Sequence, residues 1–308
     1  MAASRAVPQP RAVNRALGLC WGAWSELGVS GWARSHRRWA IDVEPLIIFT
    51  ARLGDRDPRL RDEVQDWCIR YNRYVSRARL RSLVRSVGDD DAEAWGEFAA
   101  TVSSHTKVQW PGATVARGEY RITGRSSLRD LSEPSLVGLR MRALFGLGAR
   151  TEVLQYLLLH GEQSMTVAAL SAATGYTKRI IANECEALER AGALSVRAEG
   201  NRFHYSLARP HALRTLVGEL PPIRPDWTAL LHMVTVLLRL DESANELPPS
   251  VLTVEARKAY REIEDDLTTL DLSRPPNRHG DALISEMAQW SNKTLADLSQ
   301  GAWPSAGA

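Results

Sequence analysis

Apolar residues along this chain recur mostly at helical spacing, and only briefly at the two-residue spacing of strands. Over residues 12–27, Leu17, Cys20, Trp21 and Trp24 fall on one side of a predicted helix that Gly28 and Gly31 end. A second helix is predicted over 43–53. Asp57-Pro58 then reads as a cap followed by proline at the first helical position, opening a stripe of Leu60, Val64, Trp67, Cys68 and Tyr71. A turn at 72–75 leads to a further helix, with Leu80, Leu83, Val84 and Val87 at i, i+3, i+4 and i+7. Arg77, Arg79, Arg81 and Arg85 decorate its other positions. Helices over 92–103 and 136–145 complete the first half. Between them, 105–134 is Gly-, Ser- and Pro-containing and predicts a long loop or linker, with a short strand around 120–122. Past the midpoint, Pro210, Pro221, Pro222 and Pro225 mark a connector, followed by predicted helices over 227–240, 251–270 and 281–298. The leader, residues 1–10, is expected to be disordered.

The stretch 149–209 is the most ordered pattern in the chain. Val153, Leu154, Leu157 and Leu158 form the apolar face of a first short helix, stopped by Gly161. Ser164 or Thr166 can cap a second, in which Val167, Leu170 and Ala173 point one way. Gly175 tolerates the positive φ of a tight interhelical turn. Thr177 then caps a third helix whose inward stripe is Ile181, Cys185 and Leu188, and Gly192 ends it. Leu194, Val196, Phe203, Tyr205 and Leu207 alternate on two strands joined at Glu199-Gly200-Asn201, a hairpin.

Helix, helix, tight turn, helix, hairpin resembles the winged helix-turn-helix transcriptional regulators of the ArsR and MarR type. The resemblance rests on T-V-A-A-L-S-A-A-T-G-Y-T-K-R-I-I-A-N-E-C-E-A-L-E-R-A-G-A-L and the hairpin after it, about a fifth of the 308 residues. It implies a mainly α fold with a winged helix-turn-helix embedded between helical regions. The expected divisions are an N-terminal helical domain at 1–104, the linker 105–134, the winged helix at 135–210 and a C-terminal helical region at 211–308. It also implies a cytoplasmic DNA-binding regulator, most simply a repressor. Members of these families are commonly dimers, so a homodimer is a candidate assembly.

Helix geometry gives the reading face. With Ile181, Cys185 and Leu188 inward, Lys178, Arg179, Ala182, Asn183 and Glu186 face outward. Arginine can bond guanine O6 and N7 bidentately, and asparagine can do the same to adenine N6 and N7. Thr177 and Lys178, at the helix N-terminus, suit a phosphate. Arg197, Asn201 and Arg202 at the hairpin tip could grip backbone phosphates or enter the minor groove. Arg77, Arg79, Arg81 and Arg85 are secondary candidates for DNA contact, because residues 58–87 also read as helix–turn–helix, although no hairpin follows.

The charge distribution fits this arrangement better than the total does. Net charge is only +3. Residues 1–138 carry 21 basic against 16 acidic side chains, 139–210 carry 9 against 6, and 211–308 carry 9 against 14. Double-stranded DNA is thus the expected partner at the basic front, and the acidic C-terminal region could take a protein partner. Trp32 and Trp39 bracket Arg34, His36, Arg37 and Arg38, where the tryptophans are expected to pack inward and the arginines to stay wet.

Cys20, Cys68 and Cys185 are far apart in apolar helical patterns and read as buried thiols, not a disulfide framework. Nothing in the sequence supports a thiol switch at Cys185. No segment approaches the length of a membrane span. Phosphate loops, dinucleotide fingerprints and nucleophile elbows are missing, and no metal-ligand spacing surrounds His160 or His204. No enzyme activity, cofactor or metal is expected. The alternative, from a different class, is a winged-helix protein-interaction adaptor, for example an antitoxin-like partner of an enzyme, without specific DNA binding.

Overall fold

The computed structural model describes residues 11–30, 34–85, 88–116, 118, 120–161, 163–244, 246–276 and 281–305. The leader at 1–10, Gly31, Trp32 and Val87 lie outside the described residues. Among those described, the chain is mainly helical, with fourteen α-helices and one three-stranded antiparallel sheet. None of the described helices is long and apolar enough to cross a membrane. Two compact units result: Trp24–Gly31 with Arg37–Arg224, and Pro225–Ala308 with Met1–Ala23 and Trp32–His36. Helix α1 (Arg11–Leu27) begins in the second of these and ends in the first.

The larger unit opens with α2 (Val43–Leu53), α3 (Pro58–Arg70), α4 (Arg77–Val84) and α5 (Asp89–His105). Asp57 caps α3 as expected, its Oδ1 accepting from the Leu60 amide at 3.0 Å with Pro58 behind it. Tryptophans build the core here. Trp67 meets Trp24 edge-on at 5.4 Å, and its indole donates to the Leu27 carbonyl at 3.0 Å, so its one polar atom is satisfied as its apolar body is buried.

No strand forms at 120–122, contrary to the expectation for that segment. The chain lies along α3 instead. Tyr120 donates its hydroxyl to the Asp62 carbonyl at 2.7 Å, and the Thr123 and Gly124 amides donate to Asp66 Oδ1 at 3.0 Å. The Leu128 amide donates to the Tyr71 hydroxyl at 2.9 Å. Side chains of α3 take the backbone donors that a neighbouring strand would have taken.

Next come α6 (Val137–Phe145), α7 (Ala149–Leu159), β1 (Met165–Thr166), α8 (Val167–Thr174), α9 (Lys178–Arg190), β2 (Leu194–Glu199), β3 (Arg202–Leu207) and α10 (Pro210–Val217). They share one core in which Met141, Val153, Leu157, Leu170, Ile181, Cys185, Leu188 and Leu194 are buried together. Each large aliphatic side chain withdrawn from water this way contributes roughly 1.5–3 kcal/mol. The sheet order is β1-β3-β2, with Val196 opposite Tyr205 and Glu199 opposite Arg202. Two of these elements were not expected from the sequence. β1 is only two residues long, too short to show alternation, and Pro210 starts α10 at its first turn where it was read as part of a connector.

The second unit contains α11 (Trp227–Ser243), α12 (Pro249–Glu262), α13 (Glu264–Thr269) and α14 (Asp281–Ser299). The single helix predicted over 251–270 is two. The break falls at Ile263 (φ −96°, ψ 1°), and both Ile263 and Leu267, one turn beyond it, are buried.

Candidate nucleic-acid interface

Helix α9 is aimed by its first turn and by the turn before it. Gly175, at φ +73°, ends α8 in the left-handed conformation that a side chain would resist. Thr177 caps α9, its hydroxyl accepting from the Ile180 amide at 3.4 Å. Between them Tyr176 is buried, and its hydroxyl meets Ser76 Oγ at 2.9 Å. Arg79 Nε donates to the Thr174 carbonyl at 3.0 Å, so helix α4 holds the end of α8 directly.

The two faces of α9 separate cleanly. Ile181, Cys185 and Leu188 are buried as expected, and burial first, then nearby Glu184, pushes the Cys185 thiol up to about 11. That thiol stays protonated at neutral pH, where a reactive one would ionise. Opposite them, Arg179, Asn183, Glu186 and Arg190 recur at i, i+4, i+7 and i+11, all exposed. Lys178 and Thr177 are exposed at the start. Ala182 is half-buried, because it lies about 100° round from Ile181 at the edge of the packed face, not on the outward one as the sequence reading had it. Lys178 and Arg179 make no ion pair, and Asn183 no hydrogen bond, among the described residues. Further along, two of the three carboxylates are occupied: Glu186 binds Arg190, and Glu184 binds Arg150 of α7 at 2.9 Å. Arg190 was missed from sequence, although its spacing of four from Glu186 and eleven from Arg179 marks it.

On the hairpin, the pairing puts Arg197, Glu199, Arg202 and His204 on one face and Val196, Phe203 and Tyr205 on the other. Arg197 is bonded to Glu199 at 3.1 Å, and His204 Nε2 lies 3.7 Å from the same carboxylate. Arg202 has no such partner among the described residues, and Asn201 is exposed in the turn beside it.

The arginines of α4 split. Arg77, Arg81 and Arg85 are exposed and carry no ion pair among the described residues. Arg79 departs from the expectation that it could reach DNA: its side chain is only 6% exposed. It bonds Asp42 at 2.5 Å and Glu44 at 2.6 Å. Arg142 of α6 bonds the same Glu44 at 2.7 Å and Glu152 of α7 at 2.8 Å. Burial alone would lift the Asp42 carboxyl, but the Arg79 guanidinium beside it prevails and holds it below the usual range. Arg79 is therefore a strut inside the protein. In the basic run 34–38, Arg37 and Arg38 are exposed as expected, Arg34 is half-buried, and His36 is fully buried.

A cleft of about 240 Å³ beside α2, α3 and α5 has the wrong sign for nucleic acid. Asp55, Asp62, Glu93 and Glu97 line it, and Arg61, the cation of that lining, is bonded to Asp62 at 3.2 Å. Comparison with family models, with characterised proteins and with solved structures gave no match to this chain.

Proposed function

We propose that the chain is a winged-helix regulator that reads duplex DNA, with α9 in the major groove and the β2–β3 hairpin as its wing, most simply as a repressor occluding a promoter. One observation carries the reading. The face of α9 opposite its packed stripe is uncovered, and it presents a guanidinium and a carboxamide one turn apart, Arg179 and Asn183, neither engaged among the described residues. That pair matches the purine edges of successive base pairs. Lys178 and Thr177 at the helix N-terminus supply a phosphate contact, and Arg202 at the hairpin tip supplies another. The acidic second half of α9 confines the contact to its first two turns.

The test is selection of duplexes from a random pool, followed by titration of variants. Arg179→Ala and Asn183→Ala are each expected to cost roughly 1–3 kcal/mol on the selected site and to relax preference at one base position. Arg202→Ala should weaken all sequences alike and lower the salt-dependence slope by about 0.9. Wild-type behaviour from all three variants overturns the assignment of this face.

A protein-binding adaptor is the second reading, and Phe203 and Val196 favour it, being 60% and 41% exposed on the apolar face of the hairpin. A stoichiometric protein partner recovered without any retained DNA would decide for the adaptor.

A further inference from the structure

Helix α4 carries three exposed arginines, Arg77, Arg81 and Arg85, at i, i+4 and i+8, and no acidic residue. Like charges one turn apart weaken a helix by a few tenths of a kcal/mol per pair. None of the three makes an ion pair that would offset that cost among the described residues. The carboxylates that reach this helix, Asp42, Glu44 and Glu152, are taken by Arg79.

Helix α4 also packs against the turn that launches α9. A methyl group on Gly175 would sit 3.9 Å from Ser82 Cβ and 4.0 Å from Arg79 Cγ. Arg81 precedes Ser82, and Arg85 follows it by one helical turn. The major groove is about 12 Å wide, and a helix with its side chains is about 10–12 Å across, so one helix fills the groove. A second helix packed beside the first one's N-terminus lies over the sugar–phosphate rim.

We infer that α4 is not a second reader but an outrigger of the same footprint: Arg81 and Arg85, with Arg77 behind them, grip backbone phosphates flanking the base pairs that α9 reads. The inference rests on the reading of α9 proposed above. Within it, the arginines of α4 divide the labour: Arg79 turns inward and holds the end of α8, just before the turn into α9, through the Thr174 carbonyl, while its exposed neighbours supply charge.

The experiment uses the full chain and the duplex selected by the wild type. The Arg81→Ala/Arg85→Ala variant is expected to lose affinity on the order of tenfold for every sequence alike, with the salt slope lowered by about 1.8, or 0.9 for each phosphate released. Its base preference should stay that of wild type, hydroxyl-radical protection should vanish on one flank only, and thermal stability should not fall, because both side chains are exposed and their repulsion is relieved. Arg81→Lys/Arg85→Lys should restore the slope. If the alanine variant keeps wild-type affinity and slope while Arg179→Ala still relaxes base preference, the outrigger is wrong and the α9 reading stands. A lysine variant as weak as the alanine one would also overturn it. If wild type retains no duplex, the reading of α9 fails and the outrigger with it.

Discussion

Glu44→Ala is expected to remove about 3–5 kcal/mol from the stability of the larger unit. Glu44 is completely buried, and its carboxylate takes Arg79 at 2.6 Å, Arg142 at 2.7 Å and the Ser76 amide at 2.6 Å. Removing it leaves two buried guanidiniums to share Glu152, with Asp42 reaching only Arg79. An uncompensated buried charge costs far more than the pair contributed when intact, because its desolvation is no longer offset. Glu44→Gln, which keeps the shape and one acceptor but not the charge, should recover only part of the loss. Replacing Glu44 by leucine together with Arg142 by methionine should be milder than Glu44→Ala, since a whole pair exchanged for apolar volume is often near neutral. The two units need not unfold together, so the measurement is amide hydrogen exchange of α2, α4 and α6. A loss below about 1 kcal/mol would mean that water solvates the cluster, and its structural role would be withdrawn. On the proposed reading of α9, duplex affinity should fall along with stability, because Arg79 holds the α8–α9 turn.

That cluster also marks the limit of what local pattern reveals. The third helix of the 149–209 stretch was legible because Thr177, Ile181, Cys185, Leu188 and Gly192 are a cap, a stripe and a stop within one short segment. The hairpin was legible from the same kind of short-range alternation around Gly200. Arg79 was not. By residue type it matches Arg77, Arg81 and Arg85, and although it stands two positions off their i, i+4, i+8 row, what holds it is a set of carboxylates at Asp42, Glu44 and Glu152, which only the fold brings together. The burial of His36 was not legible either, since its neighbours Arg37 and Arg38 are exposed as a basic run should be. A strand at 120–122 needs a partner edge, and what the neighbouring backbone amides meet is the Asp66 carboxylate of α3. The split at Ile263 was hidden because both of its halves continue one amphipathic pattern. In each case the deciding contact comes from elsewhere in the chain.

His36 gives the second unit a dependence on acid that the wild type is expected to show clearly. Burial pushes its pKa down from 6.5 to about 4, against a smaller opposing effect of the bond to the Leu298 carbonyl. Nε2 lies 2.9 Å from that carbonyl, which can only accept, so Nε2 carries the proton and Nδ1 is bare. The Ser35 hydroxyl donates to Nδ1 at 2.9 Å. Helix α1 closes the site: a methyl group on Gly22 would fall 2.3 Å from Nδ1, which leaves no room there for water. The unfolded chain takes a proton on His36 below pH 6.5, whereas the folded chain takes none until about pH 4. Stability therefore rises with pH across that window and is flat above it, and the fall from pH 7 to pH 4 should amount to roughly 3 kcal/mol. His232, held charged by its bond to Asp266 at 2.6 Å, runs the opposite way. Its contribution is complete below the ordinary histidine range and fades only as pH rises through its raised value, so it does not mask the effect. Carboxylates elsewhere also titrate on the acid side, which makes the difference from His36→Gln the informative quantity. Glutamine can still donate to Leu298 but has no proton to gain. Urea unfolding of both proteins from pH 7 to pH 4 should give curves that converge as pH falls, the wild type losing the additional stability. Parallel curves would mean that His36 is protonated in the folded state, and the sealed pocket around it would have to be open to water.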